Sequence, residues 1–318
     1  MKNLNILITA AGGDIGGNII NILSQQKNVK LSIIGTDIKE HIFSIDKLDK
    51  FYKIERTNHP DFHKQIMQVI EENNINIIIP VSENEIIWFN ANKTFFTNIN
   101  IMINNIVIIE TFLNKFKTSH ELNKINIQTP KTYLFSEYNN QLKFPLILKS
   151  SYSIQSKEIH IIINQSQLEY MKMSILNHEN YIIQEYIGST DEEYTTAVYR
   201  DSTKLEVITF KRKLTGGMTS DAIICHEEIL QQYAKTIAIN FNLNGSINIQ
   251  SRKFENQFYI FEINPRFSST IAIRDYFGFQ DLLWWINDIS ADIFKLQNIH
   301  VSTQGRAVLG YQYKYFDK

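Results

Sequence analysis

The sequence predicts a parallel α/β unit followed by an antiparallel α+β unit, and three observations carry that prediction. In the first third of the chain, near-continuous Ile/Leu/Val runs alternate with amphipathic helical patterns, as in sheets covered on both faces. Two of the five prolines fall at Thr129-Pro130 and Lys143-Phe144-Pro145, which marks a boundary. Beyond it, seven β-type runs follow one another with turn residues between several of them.

In order, residues 4–9 form a short apolar strand and 15–23 a helix, with Gly12-Gly13-Asp14-Ile15-Gly16-Gly17 between them. That loop holds four of the twelve glycines. It suits either a phosphate loop at a helix N-terminus or a tight turn that lets strand and helix pack closely. A short-chain reductase ranks below both, because no Tyr-x-x-x-Lys sequence occurs in the chain. Residues 31–35 are a second strand ending at Asp37, and 75–80 a third. Residues 61–72 are a helix with Phe62, Ile66, Val69 and Ile70 on one face. Right-handed crossovers place the loops after Thr9, Gly35 and Pro80 at one sheet edge, where ligands usually sit. A helix is expected over 110–124. Strands are expected at 146–149, 158–163, 181–184, 193–199, 205–213, 245–252 and 258–263, with helices at 167–176 and 227–241.

Composition narrows the class. The 318 residues are 43% hydrophobic and 20% charged, enough to bury a sizeable core. With 32 basic and 33 acidic residues the net charge is −1, so no global basic field draws nucleic acid or an anionic membrane. Cys225 is the single cysteine, which excludes a disulfide framework. The eight histidines are dispersed, so no zinc cluster is expected. There is no apolar run of about 20 residues and no signal-peptide layout at the start. A soluble, cytoplasmic protein is expected.

The most informative string is Phe258-Tyr259-Ile260-Phe261-Glu262-Ile263-Asn264-Pro265-Arg266. Glu262 and Asn264, two apart on a strand, share a face. A hairpin through Glu255-Asn256 could bring Gln250 opposite Glu262. A carboxylate and two amide oxygens suit Mg²⁺, which prefers oxygen ligands shared with phosphates. Arg266, just past the strand, is placed to grip a transferring phosphoryl group. The competing structural reading is an ordinary hairpin with polar residues facing solvent.

Glu262-Ile263-Asn264-Pro265-Arg266 with Gln250 upstream resembles the metal-binding signature of the ATP-grasp superfamily, in the branch related to the carbamoyl-phosphate synthase large subunit. The resemblance runs along nearly the whole chain. Lys117, followed by Ile127-Gln128-Thr129-Pro130, looks like the first nucleotide lysine. Lys149 in Phe144-Pro145-Leu146-Ile147-Leu148-Lys149 looks like the second. Gln184-Glu185-Tyr186-Ile187 resembles the hinge that meets adenine, and Glu193 the acid near the ribose. Lys211-Arg212-Lys213 resembles the basic strand end facing phosphate. The glycine-rich start resembles a Rossmann-like domain that shapes the substrate side. The implied fold is that Rossmann-like parallel α/β domain followed by an ATP-grasp fold. The implied divisions are 1–108, then 109–187 with a lid at about 129–187, then 188–318.

What the resemblance implies is an ATP-dependent carboxylate–amine (or carboxylate–thiol) ligase that works through an acyl-phosphate and releases ADP and phosphate. Its cofactors would be ATP and Mg²⁺ or Mn²⁺, and its partners a small carboxylate and an amine, with a homodimer as the candidate assembly. Gln250, Glu262 and Asn264 would hold the metal. Lys117, Lys149, Gln184, Glu185, Ile187 and Glu193 would hold the nucleotide, and Arg266 and Arg212 would stabilise the γ-phosphoryl charge. Asp37 and Ser82-Glu83-Asn84-Glu85 would supply part of the acceptor site, near the Gly216-Gly217 loop. The sequence departs from the family where a glycine-rich flap is usual: residues 150–157 contain no glycine. It departs again at Phe267-Ser268-Ser269. A phosphotransferase and a non-catalytic nucleotide-binding protein are the two alternatives.

Overall fold

The computed structural model describes residues 4–152, 159–290, 293–296, 300–310, 312 and 314 of the chain. Its first unit contains β1 (Leu4–Ile8), α1 (Asp14–Ser24), β2 (Leu31–Asp37), β3 (Lys50–Lys53), α2 (Phe62–Glu72), β4 (Ile77–Ile79), α3 (Glu83–Ala91) and β5 (Asn100–Ile101). The strands form a parallel sheet in the order β3-β2-β1-β4-β5. The apolar runs are continuous because both faces are covered. Ile6, Ile8, Ile77 and Ile79 join one buried cluster with α1, while Leu7, Ile34 and Ile78 join another with α2 and Phe89 of α3. The loops after β1, β2 and β4 therefore lie at one edge, as the crossover rule requires.

Where one helix was expected over 110–124, there are two: α4 (Ile106–Phe112) and α5 (Lys115–Lys124). Asn114 has extended backbone, and its side chain accepts from the Lys117 N–H, so it caps a new helix rather than continuing the old one. The division expected at residue 108 falls inside α4. Next come β6 (Thr132–Leu134), β7 (Leu146–Ser150), β8 (Ile159–Ile162), α6 (Gln165–Ser174) and β9 (Tyr181–Glu185), which build an antiparallel sheet ordered β6-β9-β7-β8. Leu146, Leu148, Ile162 and Ile183 pack with Leu168 of α6. Alternation turns Ile147, Lys149 and Gln184 to the other face.

The remaining strands are β10 (Glu193–Arg200), β11 (Leu205–Thr215), β12 (Met218–Ile224), β13 (Gly245–Phe254), β14 (Gln257–Asn264) and β15 (Arg306–Val308), with helices α7 (Glu228–Asn240), α8 (Ile271–Tyr276) and α9 (Asp281–Ser290). The sheet runs β14-β13-β10-β11-β12-β15. Val198, Ile247 and Ile249 bury one face against Ala234, Ile237 and Ala238 of α7. The other face is polar near the ends of β10, β11, β13 and β14.

The β13–β14 hairpin turns at Glu255 and Asn256, with φ of +49° and +62°. Two successive positive φ values define a type I′ turn, whose twist matches the strands. This turn sets Gln250 opposite Glu262 and Asn248 opposite Asn264. A register shift between Gln250 and Ser251 leaves Phe261 as the extra residue of a bulge. The bulge lets Phe261 and Glu262, neighbours in sequence, both face the same cavity.

The parallel unit and the six-stranded sheet share one buried cluster, joining Ile6 and Ile19 to Tyr199, Phe210, Trp284 and Trp285. Beside it, Arg274 (0% exposed) makes a bidentate pair with Asp281 at 2.9 and 2.7 Å, and also donates to Ser268 Oγ at 3.0 Å. That network fixes the chain just after Arg266.

Candidate active site

The four- and six-stranded sheets face each other across a cavity of about 220 Å³. Ile147, Lys149 and Gln184 line it from one side; Arg252, Tyr259, Phe261 and Glu262 line it from the other. The segment Glu185-Tyr186-Ile187, leading out of β9, closes one end. Four nucleotide positions expected from the sequence, Lys149, Gln184, Glu185 and Ile187, meet there with one expected metal position, Glu262.

Its charge is unbalanced. Lys149 is 6% exposed, and burial pushes its ammonium down to about 8. The Glu262 carboxylate opposes that shift, while Lys115 and Arg252 reinforce it. Lys149 Nζ also lies 5.7 Å from the Phe261 ring centroid. Three cationic side chains, Lys115, Lys149 and Arg252, line the cavity with two acids, Glu185 at its end and Glu262 facing Lys149, and the excess of positive charge suits an anionic ligand.

The polar face of the six-stranded sheet carries the remaining expected residues, and here the geometry departs from the sequence reading. Glu193 is buried between two arginines, receiving Arg212 Nη2 at 3.0 Å and Arg252 Nη2 at 3.1 Å. It is not among the cavity-lining residues; Thr190 lines the cavity instead. Arg212 also donates to Gln250 Oε1 at 2.9 Å. It therefore organises the row behind the cavity instead of presenting its guanidinium openly. The oxygen Gln250 would offer a cation is the one turned to Arg212. Glu262 and Asn264 keep the oxygen chemistry a hard cation needs, on one face of β14, so the residues fit a divalent ion with Gln250 as an engaged third member.

Lys117 is also misplaced by the sequence reading. It is exposed on α5, whereas Lys115, two residues earlier, lines the cavity. The reason is the cap at Asn114, which restarts the helix and sends positions 115 and 117 in different directions. The Lys115 N–H donates to Ser151 O at 2.7 Å, anchoring this helix start to the end of β7. Residues 153–157 of the expected flap lie outside the described residues.

Arg266 does not line the cavity. Its Nη2 donates to Glu83 Oε1 of α3 at 3.0 Å, and its Nη1 to Phe267 O at 2.9 Å. The Asn264–Arg266 turn thus meets the parallel unit. Asn104 reinforces the meeting by donating to the carbonyls of Pro265 and Ser246 at 3.0 and 2.9 Å. In the glycine loop, the Gly12 N–H donates to Asp37 Oδ2 at 2.7 Å, and a Cβ on Gly16 would lie 2.6 Å from Ala10 O. This is the tight-turn reading of the glycines. Glu85 is pushed upward by burial, against the hydrogen bonds of its capping box with Ser82. Burial likewise pushes the Cys225 thiol up to about 11, which keeps it protonated.

Sequence reasoning gave no role to Lys115, Arg252, Phe261 and Asn104. Arg252 was readable, since it stands two residues from Gln250 on the same strand. Phe261 was not, because only the bulge turns it inward.

Comparison with known proteins agrees with the fold. Residues 177–299 match a family described as ATP-grasp in the biosynthetic pathway with Ter operon, and residues 6–104 match the PylC-like N-terminal domain. The carbamoyl phosphate synthase large chain of Clostridium botulinum (strain Loch Maree / Type A3) is 25% identical over 147 residues, covering 42% of this chain and 14% of that one. The Methanosarcina barkeri large chain is 27% identical over 148 residues, covering 42% and 37%. The chain thus spans only a minor part of these relatives' lengths.

Among solved structures, the biotin carboxylase domain of Hydrogenobacter thermophilus 2-oxoglutarate carboxylase, a dimer with MgADP, ADP and bicarbonate, superposes with a TM-score of 0.75 at 13% identity, covering 96% of this chain and 74% of that one. Staphylococcus aureus N5-carboxyaminoimidazole synthetase with ADP gives 0.71 at 14%, covering 90% and 77%. The L-amino acid ligase of Bacillus licheniformis gives 0.68 at 13%, covering 91% and 75%. The fold is that of these ligases. Among the described residues no helix is long and apolar enough to cross a membrane.

Proposed function

We propose that this chain, an ATP-grasp protein with a PylC-like N-terminal domain, is an ADP-forming carboxylate–amine ligase acting in a biosynthetic step. The observation that carries the reading is the convergence of Lys149, Lys115 and Arg252 on the Glu262 side of one inter-sheet cavity. The matched family's description and the ligases that share the fold support it.

In this reading the nucleotide lies between the sheets, with its base toward Gln184–Ile187 and its phosphates toward Lys149 and Lys115. Glu262 and Asn264 would hold a magnesium ion, which when bound neutralises phosphate charge. A carboxylate oxygen of the first substrate attacks the γ-phosphorus, the bond to the β-phosphate oxygen breaks, and ADP leaves. An amine then attacks the acyl carbon of the acyl-phosphate. Phosphate departs, the nitrogen loses a proton, and an amide remains. The chain contributes placement and fixed charge rather than a nucleophile of its own. Arg266, at the junction with the parallel unit and bonded to Glu83, would meet an acceptor entering from Ser82–Glu85. We assign the lid to about 129–187 and expect a cytoplasmic protein, with a homodimer as the working assembly.

The test is an acceptor screen reporting ADP, run over amino acids, sugar acids and small amines. Free phosphate that appears only when carboxylate and amine are both present supports the ligase. A phosphorylated product with no amine present would instead mark a phosphotransferase. ADP formation unchanged in Glu262→Gln would overturn the site.

A further inference from the structure

One of the oxygens expected to hold the divalent ion is already engaged by a buried cation, and the inference rests on the metal and nucleotide reading above. Arg212 Nη2 donates to Glu193 Oε1 at 3.0 Å and to Gln250 Oε1 at 2.9 Å, while its Nε reaches the same Glu193 oxygen at 3.3 Å. A terminal guanidinium nitrogen carries two protons, so both are committed. A guanidinium only donates, so the Gln250 amide must face it with its oxygen; turned over, it would set N–H against N–H. Arg212 is 5% exposed and Glu193 4%, so little water competes for these bonds.

The strand register sets Gln250 opposite Glu262, so the engaged oxygen belongs to the residue facing the acid. Arg212 reaches it from β11, across β10. An amide oxygen has two lone pairs, but sharing it would hold a guanidinium and a divalent cation against one atom, where burial leaves their repulsion poorly screened. Letting go of Gln250 does not strand Arg212, because the ion pair with Glu193 remains. Negative charge decides between the two arrangements: a polyphosphate in the cavity that Glu262 lines offsets the added cation.

We propose that Arg212 is a latch on the metal position. While it holds Gln250 Oε1, only Glu262 and Asn264 are offered to a divalent cation, and Gln250 joins them when nucleotide phosphate arrives. Arg212 is then a positioning residue that acts through Gln250, and Glu193 is the anchor that keeps it in place through the change. The consequence is an order of events: the chain takes up a free divalent ion weakly and a nucleotide-bound one well.

Mn²⁺ binding, read from the electron paramagnetic resonance signal of the free ion, tests this in wild type, Arg212→Met, Gln250→Met and the double variant. Without nucleotide, Gln250→Met should bind Mn²⁺ within about twofold of wild type, since the latched oxygen is not offered. Arg212→Met should bind it about tenfold tighter, the usual scale for a group that orients a metal ligand, and Gln250→Met should cancel that gain in the double variant. Removing a positive charge with no latch would tighten Mn²⁺ equally in both backgrounds, so additive effects overturn the proposal. With ADP present, Gln250→Met should weaken Mn²⁺ about tenfold. Indifference there overturns the proposal too, because Gln250 would then never be a ligand. Should Arg212→Met fail to fold, Arg212→Lys takes its place in the cycle, since an ammonium keeps the charge but cannot span Glu193 and Gln250 as the fork does. Mn²⁺ and ADP that bind to none of the four proteins sink the underlying nucleotide reading, a result distinct from additivity.

Discussion

Arg266, at the end of the strand that carries Glu262 and Asn264, is bonded over 3.0 Å to Glu83 in the first turn of α3. The bond ties the Asn-Pro-Arg turn to the loop after β4, at the sheet edge where α/β proteins bind ligands. Both partners are mostly buried, and an amide at position 83 would still offer the guanidinium an acceptor oxygen. The bond's consequence is positional. A substrate carboxylate reaching Arg266 meets a guanidinium already facing a protein carboxylate. Glu83→Gln should therefore lower the acceptor KM several-fold and leave the melting temperature nearly unchanged. Arg266→Lys should cost turnover about 100-fold, because an ammonium cannot reproduce two-pronged carboxylate recognition. Steady-state kinetics with the acceptor varied separates the two effects; an unchanged KM in Glu83→Gln would remove Glu83 from the acceptor site.

Lys149 trades stability for ligand binding. Its ammonium falls from 10.5 to about 8 on burial, so the folded protein holds at neutral pH a charge it disfavours. A depression of that size corresponds to a ceiling of about 3 kcal/mol. The penalty is full below pH 8. Between about 8 and 10.5 the unfolded chain binds more protons than the folded one, so stability rises with pH; above 10.5 the penalty is gone. Lys149→Met should raise the stability of the unliganded protein at pH 7, and the gain should shrink as pH climbs through that window. The same variant should lose nucleotide binding. Chemical denaturation at pH 7 and pH 10 reads the first effect; a variant equally stabilised at both values would contradict it.

Glu193 has a different burden. It is 4% exposed and is shared by Arg212 and Arg252. Removing it leaves two guanidiniums facing each other without a counter-charge, which costs about 3–5 kcal/mol for a buried pair. Glu193→Ala should unfold at markedly lower denaturant, and Glu193→Gln should recover part of the loss by keeping the acceptor oxygen. A drop under about 1 kcal/mol in Glu193→Ala would show that the arginines find other partners.

The sequence made legible what depends on local rules. The Glu255-Asn256 turn, with the alternation of β13 and β14, was enough to place Gln250 opposite Glu262. The parallel unit was readable because its strands are apolar on both faces, and Leu7 packs to one side while Ile6 and Ile8 pack to the other. The occupation of Gln250 and Glu193 was not readable. It follows from Arg212 on β11 lying across β10 from β13, and a strand order cannot be counted off a chain. The bulge at Phe261 was hidden for the same reason: it exists only in the pairing with β13. Asn104 was silent as well, because its partner Pro265 is 161 residues away.

The helix break at Asn114 is the sharpest of these misses, and it yields a paired prediction. A continuous helix over 110–124 leaves no reason to separate residues 115 and 117. With Asn114 as the N-cap, Lys115 opens α5 beside Ser151 and Lys149, while Lys117 is exposed. Lys115 adds positive charge at the Lys149 end of the cavity, where its field is already felt as a downward pull on that ammonium. Lys115→Ala should weaken Mg·ATP about tenfold, the scale of one charge-assisted contact to phosphate. It should also let Lys149 titrate higher. Lys117→Ala, which removes a solvated charge, should stay within about twofold of wild type. Titration calorimetry on the two variants decides between the positions: a loss at 117 with none at 115 would return the nucleotide lysine to the place the bare sequence suggested.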